Sequence, residues 1–333
     1  SKHADAASHA ETVLANKDAG ELASRAALIA GRAREALGDR SRARVLFERA
    51  GAADDHVIAA EALVAAARLA RVDQDPKAAA KALARFDALA TSKDTAIAPS
   101  LQNWARYERA RQMLDAGDAK GALALLDGLS RALATAPAGD AKATRQAARD
   151  DDSLREQAAY WAARCDASLG HFDDAATRLE QLRRALPNGA LAGETLFDLA
   201  SAHAKAGRAG QAVAAYREFL KSSPNHAWAG DASLGLASGL LSQGEHAQAA
   251  EICERALAAK PVPVLAHSLT MLLGEARFAA KDYAKAGDAY TAYLNAPSGD
   301  PAEWRAGVRR ALCMLRTNQP NAREMLRAAL NVK

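Results

Sequence analysis

The chain has 333 residues, of which 89 are alanine and 16 aromatic, so only 78 hydrophobic residues remain once alanine is set aside. That mixture favours helix over strand and is thin for one large globular core, which argues against a sheet-based enzyme fold. Lys and Arg number 44 against 40 Asp and Glu, a formal net charge of +4 that is too even for a polymer-binding surface over the whole molecule.

Residues 1–19 have the pattern of a lone second helix from a helical hairpin, with Ala6 in a close-contact position and Val13 and Leu14 near its end. Between 20 and 133 and again between 153 and 333 the chain repeats itself. Gly170, Gly207, Gly244 and Lys281 stand 37 residues apart, and each is followed five residues later by an alanine: Ala175, Ala212, Ala249 and Ala286. One more step reaches Asn318, and looser spacing backwards finds Gly117, Gln74 and Gly38, so eight helix-turn-helix units are expected. The spacing breaks between Gly117 and Gly170, where 134–152 holds Pro137, Gly139 and the run Asp150 to Asp152. That segment is expected to be a linker or an inserted helix between two arrays of repeats. The last stretch, 301–333, carries seven basic and two acidic residues and fits a solvated capping repeat.

Each unit has a small residue seven positions before the turn, namely Gly31, Ala67, Ala110, Ala163, Ala200, Ala237, Gly274 and Ala311. The alanine after the turn fails only at Arg323, and a bulkier residue follows it at Phe47, Leu83, Leu126, Leu179, Tyr216, Cys253 and Tyr290. Pro187, Pro224 and Pro261 close second helices. Two helices approach closely only where side chains are small, and glycine past a helix end takes a left-handed conformation without steric cost. These residues resemble the tetratricopeptide repeat, which implies an all-α, right-handed solenoid. The unit is longer than the family's usual one and is similar in spacing to bacterial cell-envelope members, which implies a periplasmic or otherwise envelope-associated setting.

Chemistry is sparse. Asp-Ala-Ser-Leu-Gly occurs twice, at 166–170 and 231–235, but lacks the first glycine and the strand of a nucleophile elbow. P-loop, dinucleotide-binding and H-E-x-x-H patterns are missing, and the three cysteines form no C-x-x-C, so no catalysis, cofactor or metal is expected. The longest uncharged run, Pro261 to Gly274, is 14 residues, too short to span a membrane.

The resemblance further implies a concave groove lined by the first helices, with ligand-facing side chains at fixed positions. At the ninth position Arg32, Arg68, Arg111 and Arg164 form a ladder that Ser201, Ser238, Glu275 and Leu312 do not continue. At the fifth position the aromatic residues are Tyr107, Tyr160 and Phe197. The arginines could instead pair with Glu35, Glu61 or Asp115, and the fifth positions could pack between helices. The expected function is a non-catalytic scaffold that binds a protein or peptide partner, acidic or carboxylate-bearing, through those seven residues. The alternative is the helical auxiliary region of a larger cell-wall enzyme such as a lytic transglycosylase. Nucleic-acid binding through the arginines and tyrosines is the third reading.

Overall fold

A computed structural model describes residues 2–16, 18–92, 97–135, 145–296 and 303–330, with backbone alone at 135 and 145–151. It falls into two compact units, Ser1–Gly170 and His171–Lys333. Every regular element among the described residues is a helix. The first unit holds α1 (Lys2–Ala15), α2 (Leu22–Ala36), α3 (Arg40–Ala50), α4 (His56–Val72), α5 (Pro76–Ala90), α6 (Pro99–Asp115), α7 (Ala119–Thr135) and α8 (Arg145–Ser168). The second holds α9 (Phe172–Ala185), α10 (Ala192–Lys205), α11 (Ala209–Ser222), α12 (Ala229–Ser242), α13 (His246–Ala258), α14 (Pro263–Ala279), α15 (Tyr283–Leu294), α16 (Glu303–Arg316) and α17 (Ala322–Leu330). Within each unit consecutive helices pack as hairpins, and first helices also touch the first helix of the next hairpin: α2 with α4, α4 with α6, α6 with α8, α10 with α12 and α12 with α14. This is an all-α solenoid of helical repeats.

The turns explain why the period is so regular. All eight expected turn residues have positive φ, including Gln74 at 58°, Lys281 at 64° and Asn318 at 54°, where the side chain makes that conformation costly. Seven of these turns close with the same pair of backbone bonds. In the first, the Gly38 N–H donates to the Glu35 carbonyl and the Asp39 N–H to the Arg34 carbonyl, satisfying carbonyls that the ending helix leaves free. The next residue then starts the second helix: the Asp39, Asp75 and Asp282 carboxylates accept from the backbone N–H of Arg42, Ala78 and Lys285. Pro187, Pro224 and Pro261 lie just beyond α9, α11 and α13, where the missing N–H and the ring stop a helix.

The core sits where the small residues put it. Ala67, Ala110, Ala163, Ala200, Ala237 and Ala311 on first helices are buried, as are Ala43, Ala79, Ala122, Ala175, Ala212, Ala249 and Ala286 on second helices. In two hairpins with an aromatic ring at the bulky position, those of Phe47 and Tyr290, the first helix offers glycine, whereas the hairpin of Tyr216 keeps Ala200. A Cβ on Gly31 would lie 2.7 Å from the Phe47 ring, and one on Gly274 would lie 2.7 Å from the Tyr290 ring. Two expectations shift register. In α1 the fully buried residues are Ala7 and Ala10, with Ala6 only half-buried. In the last hairpin Asn321 takes a second left-handed conformation, so Ala322 is buried in place of the exposed Arg323.

Cys165, Cys253 and Cys313 are buried and form no disulfide, as core residues should be. Burial pushes the Cys253 thiol up to about 12 and the Cys313 thiol up to about 11, so both stay protonated and unreactive at neutral pH. No helix among the described residues is long and apolar enough to cross a membrane. The expected boundary segment 134–152 is described only in part: 145–152 belong to α8, and 136–144 lie outside the described residues.

Candidate functional site

The four ladder arginines sit on α2, α4, α6 and α8, each six residues before the left-handed turn residue of its hairpin. Equal phase on equivalent helices puts them on one face of the first unit. Each of the first three reaches toward a neighbouring first helix. Arg32 pairs with Glu61 of α4, and Arg68 Nη2 donates to Glu35 of α2 at 2.7 Å. The Arg111 guanidinium lies over the Trp161 ring of α8, 3.2 Å from its centroid, and donates to the Tyr107 hydroxyl at 3.2 Å. Arg164 lies over the same Trp161 ring at 4.8 Å. The pairings with Glu35 and Glu61 that the sequence suggested are therefore formed, whereas Asp115 is approached by Arg71 at 3.8 Å and not by a ladder residue.

Exposure separates the seven expected site residues. The Arg32 and Arg68 side chains are 56% and 40% exposed, and Arg164 is exposed as well, so a partner can reach all three. Arg111 is 8% exposed. Tyr107 and Tyr160 are buried too, Tyr107 edge-on to Trp104 and Tyr160 edge-on to Trp161, so these two rings pack between helices and offer no surface to a ligand. The physical reason is the close approach of adjacent first helices, which covers the fifth position of each. Leu28, Val64 and Met271 are buried at the same position. Phe197 belongs to the second unit, where it is half-buried in an aromatic cluster, 5.6 Å from Phe219 and 5.0 Å from Trp228.

Beneath the ladder is a buried ionic group that sequence reasoning missed. Glu108 of α6 accepts from Arg71 Nε of α4 at 3.1 Å and is almost wholly shielded from solvent. Burial holds the Glu108 carboxyl above the usual range even though Arg71 pulls it down, and burial lowers the Arg111 guanidinium and raises the Tyr107 phenol. Trp161 also escapes a reading by repeat phase, because it lies one position past the fifth site of its unit. A Tyr-Trp pair at 160–161 in so aromatic-poor a chain was the available signal.

The equivalent face of the second unit has different chemistry. First helices α12, α14 and α16 surround a depression of about 360 Å³ with Leu234, Met271 and Leu272 in its lining. His267 stacks on Tyr293 at 4.0 Å beside it. Glu275 stands where the first unit has arginine, and Arg309 approaches it at 3.6 Å from α16.

Residues 163–227, 197–262 and 234–301 each match a family model described as a tetratricopeptide repeat. The chain contains tetratricopeptide repeats. The matched tetratricopeptide repeats lie mostly in the second unit, and the hairpins of the first unit share their left-handed turns and buried alanines. No curated protein matches the sequence. Among solved structures, a signal-transduction ATPase with a tetratricopeptide repeat sensor from Pyrococcus horikoshii is 12% identical, over 97% of this chain and 51% of that one, with a TM-score of 0.61. A Rap protein complexed with Competence and Sporulation Factor is 16% identical, over 95% of this chain and 80% of that one, with a TM-score of 0.52. A tetratricopeptide repeat protein from Parabacteroides merdae is 12% identical, over 92% of this chain and 99% of that one, at 0.50. At these identities the likeness is one of fold.

Proposed function

We propose that this protein is a non-catalytic scaffold whose first unit holds an acidic or carboxylate-bearing partner polypeptide along its first helices. The observation that carries the reading is the phase of Arg32, Arg68 and Arg164, which are exposed at one repeat position on successive hairpins. Two of them are engaged only by neighbouring glutamates, and exposed pairs of that kind contribute about 0–1 kcal/mol, so a partner's carboxylates exchange with them at little cost. A guanidinium presents a planar fork to a carboxylate, which suits recognition of acidic side chains or a chain terminus. Arg111 plays a supporting role, holding the Trp161 ring that Arg164 also contacts. The Rap protein, similar in fold, is solved with a bound factor, which supports a partner-binding reading of the solenoid. The length of the repeat unit supports an envelope-associated setting.

The test is capture from the native source by the parent protein and by the charge-reversed variant Arg32→Glu/Arg68→Glu. Both positions are exposed, so the variant keeps its fold. A partner retained by the parent and lost by the variant, with capture weakening as salt rises, is the expected result. Equal capture by both proteins rejects the ladder as a binding site.

A further inference from the structure

The second unit has a larger concavity, away from its first-helix depression. Second helices α11 and α13 flank the beginning of α12, and together with the start of α14 they enclose a groove of about 950 Å³. Its floor is apolar: Leu236 and Leu240 of α12 are buried there, and Leu220, Ile252 and Leu265 are half-buried around them. A Cβ on Gly230 would sit 2.5 Å from Leu265 Cδ2, so in this arrangement the leucine lies directly against the glycine. At the α14 end two valines stay in water, Val262 and Val264, the latter 80% exposed. Large apolar side chains left uncovered beside an apolar groove mark a surface that another molecule covers.

Charge along the rim identifies that molecule. Arg217 and Lys221, one turn apart, stand on the α11 wall, Arg255 stands on the α13 wall, and Lys260 lies in the connection that follows α13. Against these four cations the lining offers two acids, Asp231 and Glu251, and Glu251 is already 3.9 Å from Arg255. Arg217 donates to the neutral amide of Gln248, and Lys221 and Lys260 have no acidic partner among the described residues. We propose that this groove docks a short amphipathic segment of a partner polypeptide, apolar on the face it buries and carrying carboxylates along both flanks. A fatty acid would fill the apolar floor but has one carboxylate, whereas cations on both walls call for acids on two sides. The site lies in the second unit and does not depend on the arginine ladder of the first.

The experiment uses fluorescence anisotropy with the full chain and three probes. One is a labelled peptide of about 18 residues with leucines at helical spacing and glutamates on both flanks. The others are the same peptide with lysine for glutamate, and labelled dodecanoate. All titrations use the Arg32→Glu/Arg68→Glu protein, which removes the ladder as a second site for acids: the acidic peptide should bind it, and bind it about tenfold more weakly or worse once Lys221→Glu/Lys260→Glu is added. Both substituted lysines are exposed, so the variant keeps its fold. Failure of the acidic peptide to bind, equal binding by the lysine variant, equal binding of the lysine peptide, or binding of dodecanoate alone would each overturn the proposal.

Discussion

At the scale of single residues, the hairpins are held by a match of sizes. Gly31 faces Phe47 and Gly274 faces Tyr290, while second helices with leucine or cysteine at that position, such as Leu126 and Cys253, face alanine. Replacing Gly274 by alanine sets two effects against each other. Helix propensity favours alanine by about 1 kcal/mol, but the new methyl would meet a fully buried ring that has nowhere to go, at a cost of about 1–3 kcal/mol. Gly274→Ala should therefore destabilise on balance, and Tyr290→Leu in the same chain should recover part of the loss, as a double-mutant cycle in urea would show. Lys281 offers the reverse case. It holds φ of 64° without the freedom of glycine, so Lys281→Gly should raise stability by about 1 kcal/mol, measured as a higher urea midpoint at unchanged slope. Much of this level was legible before the structure: the repeat phase located even the three turn residues that are not glycine. The aspartates that cap second helices escaped notice, although Asp39, Asp75 and Asp282 each follow a turn residue directly.

At the scale of elements, neighbouring first helices matter more than any one helix. Sequence phase assigns Tyr107, Arg111 and Tyr160 to first helices but not to a depth, because depth is set by how closely α4, α6 and α8 approach, and no single helix records that distance. The same approach buries Glu108 against Arg71. A carboxyl held above its unfolded value contributes stability that is fully present below the unfolded value and is lost as pH rises through the folded one. The ionised form of Glu108 therefore weighs against folding, offset in part by Arg71. Glutamine at 108 has no such dependence, so the stability of Glu108→Gln relative to the parent should fall as pH is lowered from 7 toward 5. A difference between the two urea midpoints that stays constant with pH would show that Arg71 fully compensates the buried charge.

For the whole molecule, an alanine-rich composition and a solenoid are two sides of one constraint. Small side chains cannot fill a large single core, but they let hairpin after hairpin approach closely, each depending mainly on its neighbours. Ligand recognition in such a molecule is distributed over equivalent positions, and the two units differ there. Arginine recurs through the first unit, while Ser201, Ser238, Glu275 and Leu312 take its place in the second. The repeat and its interruptions were legible in the sequence; the groove between α11 and α13 was not, because it arises from second helices and a connection that the repeat pattern treats as filler. The most direct test of the scaffold reading is hydrogen exchange on the protein with its captured native partner bound. Protection should appear along α2, α4 and the exposed side of α8, the helices that present Arg32, Arg68 and Arg164. Protection confined to α3, α5 and α7, with these first helices unchanged, would contradict the account.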